Sequence, residues 1–71
     1  MKLENLSRAA GISEELHELS HCVALLKANY DVRVYDVDTN YEVVRSQDVK
    51  RALLNAIEER IQYLNKEAEK L

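Results

Sequence analysis

The sequence contains no proline and only one glycine, so few residues break or kink its secondary structure. It also lacks tryptophan and phenylalanine. Cys22 is the single cysteine, which excludes an intrachain disulfide and is typical of a reducing compartment. The 71 residues are enough for one domain, and a domain of this size buries only about 60% of the surface of its unfolded chain. We therefore expect oligomerisation or a metal to supply further stability.

Long apolar runs are missing as well. The longest uncharged run extends from Leu19 to Leu26, which is too short to span a bilayer. The first residues, 1–5, lack the apolar region of a secretory signal. The net charge of −3 gives no general attraction to phosphate backbones or anionic lipid. These features predict a cytoplasmic protein that does not bind membranes.

Two helices are predicted in the first half of the chain, separated by a break at 11–13. Gly11 stands where a helix C′ residue takes a left-handed conformation, which ends a short lead-in helix at 2–10. Ser13 is a good N-cap for a longer helix at 13–29. Apolar residues recur in that helix at steps of three and four: Leu16, Leu19, Val23, Leu26 and Tyr30.

A β-hairpin is predicted over 31–45. The segment 30–37 alternates with period two and is rich in β-branched and aromatic residues, which favours a strand. Residues 38–40 have turn chemistry, and 41–45 reads as the returning strand. An isolated hairpin is marginally stable in water, so a helix or a second copy must pack against it.

Ser46 predicts the N-cap of a last helix at 47–70, which completes a small, helix-rich α+β module. This helix carries apolar residues spaced like the a and d positions of a coiled coil. We name this line the C-terminal seam: Leu54, Ile57, Ile61, Leu64 and Leu71, with Ala68. A second apolar line lies beside it: Val49, Leu53, Ala56 and Tyr63.

The two apolar lines exceed what the thin core of one short chain needs, and the C-terminal seam continues beyond the elements predicted to cover it. An exposed stripe of this kind is an association surface. We therefore predict a homodimer that forms through Leu54, Ile57, Ile61, Leu64 and Leu71, with the hairpin as a second contact. Candidate contacts with another protein are Tyr35, Tyr41, Arg33 and Arg45. The predicted function is interaction or regulation without catalysis or a cofactor, as in small accessory proteins of bacteria and phages.

Metal binding is one alternative. The segment His17-Glu18-Leu19-Ser20-His21 matches H-E-x-x-H and resembles the zincin metalloproteases over these five residues. The resemblance implies His17 and His21 as zinc ligands and Glu18 as the general base. A third ligand could be Glu42 or Cys22, although the continuation of the metzincin motif is missing after His21. Cys22 is expected to face the core.

Nucleic-acid binding is the other alternative. Residues 6–13 resemble the turn of a helix-turn-helix, with Gly11 between two helices. Glu14 and Glu15 would then face the DNA and repel its phosphates. The hairpin and the start of the last helix carry a more basic group, Arg33, Arg45, Lys50 and Arg51, next to two tyrosines. Four acidic residues on the same ribbon offset much of that charge: Asp31, Asp36, Asp38 and Glu42.

Overall fold

The computed structural model describes residues 2–38 and 40–71. It has the predicted small α+β architecture, with two long helices joined by a two-stranded hairpin. The elements, in chain order, are α1 (Leu3–Lys27), β1 (Val32–Tyr35), β2 (Tyr41–Val44) and α2 (Gln47–Glu69). The two helices pack against each other, and the hairpin lies at the end where α1 stops and α2 starts.

The first half of the chain forms one continuous helix, so the predicted break at 11–13 is wrong. Gly11 lies within α1, and no glycine of the described residues has a positive φ. Glycine in the middle of a helix costs only about 1 kcal/mol relative to alanine. Packing offsets this cost, because Ile12 exposes just 9% of its surface and belongs to the small core. Ser13 is consequently an interior helical residue and not a cap.

The left-handed residue that ends the first helix is Asn29, with φ of 67°. The amide of Tyr30 donates to the carbonyl of Leu25 at 3.1 Å, and the amide of Asn29 donates to that of Leu26 at 3.0 Å. This pair of hydrogen bonds is a Schellman motif, which satisfies carbonyls that the helix end would leave open. Asparagine tolerates the left-handed region better than most residues, so it takes the role expected of glycine.

The antiparallel hairpin pairs Val32 with Val44 at its base and Tyr35 with Tyr41 near its tip. Because side chains alternate along a strand, this register puts Val32, Val34, Glu42 and Val44 on one face. The other face carries Arg33, Tyr35, Tyr41 and Val43. At the turn, the Asp36 carboxylate accepts from the amides of Asp38 and Asn40 at 2.8 and 3.1 Å. Thr39 of the predicted turn lies outside the described residues.

The last helix begins as predicted, since the Ser46 hydroxyl accepts from the amide of Val49 at 3.4 Å. Asp48 lies in the first turn, where a carboxylate favours the helix dipole. Its length of 23 residues matches the predicted range within one residue at its C-terminal end.

The core is very small for two helices of this length. Among the described residues, Ile12 and Leu64 are the apolar residues that are buried, and no side chain is completely removed from solvent. The molecule measures 43 × 27 × 15 Å, with a radius of gyration of 15.0 Å. None of the described helices combines the length and apolar character needed to cross a bilayer.

Candidate interaction site

The structure buries part of the C-terminal seam within the single chain. Leu64 exposes 4% of its surface and lines the same cleft as Ile12 of α1. Ala68 of the seam is exposed, and the remaining residues are half-buried: Leu54, Ile57, Ile61 and Leu71. Because α1 begins at Leu3, it reaches the C-terminal part of α2, where Arg8 pairs with Glu67. The expectation that no element covers this end of the seam is therefore wrong for Leu64.

Ion pairs fix how α1 and α2 lie side by side. Arg60 donates to both carboxylate oxygens of Glu15, at 2.7 and 3.1 Å, while Glu67 accepts from Arg8 and from Lys70. These pairs join early residues of α1 to late residues of α2, so the helices are antiparallel. The hydrogen bond from Arg60 lowers the pKa of Glu15, and those from Lys70 and Arg8 lower the pKa of Glu67.

The second apolar line of α2 remains largely open. Val49 and Ala56 are exposed, and Leu53 is half-buried. Tyr63 is 51% exposed, and the Arg60 guanidinium lies 5.0 Å from the centre of its ring. An arginine over an aromatic face covers the ring without removing it from solvent. This flank therefore presents apolar surface beside the ion pairs.

An apolar groove lies where the end of α1, the start of β1 and the first half of α2 meet. It has a volume of about 290 Å³. We call it the junction groove, and it is lined by Cys22, Leu25, Leu26, Tyr30, Asp31, Val32, Leu53 and Ile57. Seven of these eight residues offer aliphatic, aromatic or thiol surface, so the groove suits apolar side chains. Ile57 also belongs to the C-terminal seam, which therefore opens into the groove.

Lys50 closes the base of the junction between helices and hairpin. Its side chain is buried. The ammonium donates to Asp31 Oδ1 at 2.7 Å. It also donates to the backbone carbonyl of Asn29 at 3.5 Å and to the side-chain oxygen of Asn29 at 3.4 Å. Arg45 approaches the second carboxylate oxygen of Asp31 at 3.4 Å. The hydrogen bond from Lys50 is the largest cause that lowers the pKa of Asp31. Lys50 is thus a structural residue and not part of a basic surface.

Three of the four predicted partner contacts on the hairpin lie together on one face. The rings of Tyr35 and Tyr41 are 5.6 Å apart, and the Arg33 guanidinium lies 5.1 Å from the centre of the Tyr41 ring. All three side chains are exposed, as is Arg45, whose guanidinium turns instead toward Asp31. Tyrosine and arginine are among the residues that most often dominate binding energy at protein interfaces. The cluster remains a candidate contact.

Two observations argue against the nucleic-acid alternative. The helix-turn-helix resemblance requires a turn at Gly11, and α1 is continuous there. Of the four basic residues in the predicted patch, Lys50 is buried and Arg45 is paired with Asp31. Arg51 is exposed beside Asp48, 3.8 Å away.

The histidine pair of the H-E-x-x-H segment lies on the exposed surface of α1. The described residues contain no group of three histidine, cysteine, aspartate or glutamate side chains that could hold a metal, so Glu42 does not join His17 and His21. Cys22 follows His21 by one residue, which turns it by about 100° around the helix axis. Contrary to expectation, Cys22 is exposed, and it lines the junction groove.

The sequence predicted the residues of the C-terminal seam but not the junction groove. Leu25 and Cys22 gave a signal, because both lie beside the main apolar stripe of the first helix, toward its C-terminal end. The contribution of Tyr30 and Val32 depends on where the hairpin packs, which periodicity does not determine. Comparison of the chain with models of protein families, with curated proteins and with solved structures finds no match.

Proposed function

We propose that this protein is a non-enzymatic, cytoplasmic interaction module that forms a homodimer. In this proposal, a second copy covers the apolar surface that the packing of α1 on α2 leaves open. The open edges of the C-terminal seam, above all Ile57 and Ile61, contribute to the contact, and the exposed hairpin face is left for another protein.

The observation that carries the proposal is the large surface of the chain. The accessible surface is 5808 Å², whereas a compact monomer of 8.2 kDa exposes roughly 4,500 Å². The radius of gyration is 15.0 Å, against about 11 Å for a compact domain of this length. A fold this open buries too little apolar surface to be a typical isolated domain, so association is a natural source of the missing burial.

The size of the excess supports a dimer in particular. The chain exposes roughly 1,300 Å² more than a compact monomer of its mass. A specific interface of standard size buries about 800 Å² on each partner. One copy can therefore cover an interface of ordinary size and still retain open surface for a further contact.

The distribution of apolar residues on α1 also supports a dimer. Ile12 faces α2 and Leu16 is half-buried, but Leu3 and Leu6 are exposed near the start of the helix, and Leu25 is exposed near its end. A helix with apolar residues around much of its circumference is typical of a helix with neighbours on more than one side. In the single chain, α2 is the helix that packs on α1.

The titratable groups support a role without catalysis. The carboxylates with lowered pKa values, those of Glu15, Asp31 and Glu67, are each explained by an arginine or lysine that bridges structural elements or neighbouring turns. Such groups point to an active site when they gather in a cleft without partners. Glu15 and Glu67 do line one cleft, but each pairs there with an arginine of the other helix, and Asp31 lies apart at the hairpin, where it pairs with Lys50.

The test is the mass of the protein in solution. We expect sedimentation to give a dimer at micromolar concentrations and dissociation on dilution. Ile61→Asp places a charge in the shallow cleft that Ile61 shares with Val23, so it should yield a helical monomer. Asn55→Asp adds the same charge at an exposed position of α2 and should leave the dimer intact. Circular dichroism checks whether both variants fold. A wild-type chain that stays monomeric at every concentration overturns the proposal.

A further inference from the structure

We infer that the junction groove is the contact between the two copies, and that Leu25 at its edge enters the groove of the partner copy. This inference rests on the proposed self-association and assigns it to one surface. The chemistry of the lining, the size of the groove and its continuity with the C-terminal seam each support it.

The lining favours an apolar occupant. Asp31 is the one charged residue among the eight, and its carboxylate already accepts from Lys50 and lies beside Arg45. The remaining surface is hydrocarbon, aromatic ring or thiol. Each copy carries a net charge of −3, so two copies repel weakly at long range and the attraction between them must come from apolar burial.

The groove, of about 290 Å³, is large enough to hold aliphatic side chains of a second copy. Leu25 is 38% exposed at the edge of the groove, and Tyr30 is exposed beside it. The same surface therefore offers both a cavity and a side chain to fill one, which is what a two-fold contact requires.

The groove also continues into other open apolar surface. Val34 follows Val32 on the same face of the hairpin and is exposed. On α2, Ile57 connects the groove to the C-terminal seam, and Val49 is exposed on the neighbouring flank. A copy seated on the groove would cover these residues together, which makes one continuous interface instead of several small patches.

Cys22 gives a direct probe, because it is the single thiol of the chain and it lines the groove. An aromatic disulfide reagent that releases a coloured thiolate reports how fast this thiol reacts. If the partner copy covers it, only the monomer reacts. Mass action then predicts that the rate falls roughly fivefold when the protein concentration is raised to about ten times the dissociation constant. An open groove gives the same rate constant at every concentration.

Leu25→Glu and Ala24→Glu form a matched pair. Both add a carboxylate to neighbouring exposed positions near the end of α1, but only Leu25 lines the groove. We expect Leu25→Glu to be a helical monomer whose Cys22 reacts at one rate at all concentrations. Ala24→Glu should keep both the dimer and the protection of Cys22.

The outcomes separate this inference from the proposed function. A wild-type dimer with protected Cys22, lost in Leu25→Glu and kept in Ala24→Glu, supports both. A wild-type dimer whose Cys22 reacts at the same rate at every concentration overturns the groove and leaves self-association standing. A wild-type monomer overturns both. If Leu25→Glu fails to fold, the protection of Cys22 in the wild-type chain decides the inference.

Discussion

The Lys50 ammonium lies 2.7 Å from a carboxylate oxygen of Asp31, and the lysine is buried while the aspartate is partly exposed. The same ammonium reaches two oxygens of Asn29, the left-handed residue of the Schellman motif that ends α1. One lysine near the start of α2 therefore ties together the end of the first helix and the entry to the hairpin. Its three donors all have acceptors, which is what a buried ammonium requires.

Replacing this lysine should destabilise the fold. Lys50→Met keeps most of the aliphatic stem but removes every donor to Asn29 and Asp31, so we expect a loss of about 1–3 kcal/mol. Arg51→Met is the matched control at the next position, where the side chain is exposed and its pairing with Asp48 contributes about 0.5 kcal/mol or less. Urea denaturation of both variants measures the difference. Equal stabilities would contradict the role of Lys50.

Gly11→Ala should stabilise the protein by about 0.5–1 kcal/mol, because the residue is in the middle of a helix. A Cβ at Gly11 would meet no atom within 4 Å, so the substitution adds no steric clash. Asn29→Ala should have the opposite effect, because Asn29 has a positive φ and accepts from Lys50. Thermal denaturation compares the two. A lower melting temperature for Gly11→Ala would indicate that the chain breaks at 11–13 after all.

Acid should weaken the fold. The pKa values of Glu15, Asp31 and Glu67 are lowered in the folded state by hydrogen bonds from Arg60, Lys50 and Lys70 respectively. A carboxylate with a lower pKa when folded stabilises the protein above its unfolded pKa, and that contribution disappears as the pH falls through the folded pKa. The unfolded reference values are 4.5 for glutamate and 3.8 for aspartate.

We therefore expect a melting temperature that is nearly constant from neutral pH to about 5 and falls at lower pH. Salt should reduce the part of the drop that comes from Glu15, because its pair with Arg60 is accessible to solvent and screened by ions. Glu15→Gln removes one of the three carboxylates, so the melting temperature of this variant should fall less steeply below about pH 5 than that of the wild-type chain. A melting temperature that rises on acidification would contradict the assignment.

The hairpin should not act as a nucleic-acid surface. Lys50 is buried, Arg45 faces Asp31, and the net charge of the chain is −3. We expect no salt-dependent binding of mixed-sequence DNA or RNA, measured by fluorescence anisotropy at low salt. A steep decrease of affinity with salt, reduced by Arg33→Gln, would show that the Tyr35–Tyr41 face contacts phosphates.

Local sequence signals predicted the second half of the fold well. Ser46 marks a real helix start, and the alternation after Tyr30 marks a real hairpin. Gly11 misled the prediction because a glycine penalty of about 1 kcal/mol is smaller than the stabilisation from packing on both sides of it. Ile12 beside Leu64, and Arg8 paired with Glu67, are contacts between residues more than fifty positions apart, which no local pattern reveals.

The candidate site could be predicted only in part, because it too depends on contacts between residues that are distant in the sequence. Heptad spacing identifies which residues of α2 share a face, but it does not say whether α1 or another molecule covers them. Leu64 turned out to face α1, while Ile57 opens into the junction groove. The groove is formed by three elements, so its existence depends on where Asn29 and Lys50 place the hairpin.

The smallest dimension of the molecule, 15 Å, is barely more than the thickness of one helix with its side chains, about 10–12 Å. A molecule this thin has little interior, and among the described residues only Ile12, Leu64 and Lys50 are buried. Other side chains that hold α1 to α2, such as Arg60 and Glu15, are also accessible to a partner. Many substitutions that change which partner the protein binds should therefore also change its free energy of unfolding. Binding affinity and stability would then change together during evolution.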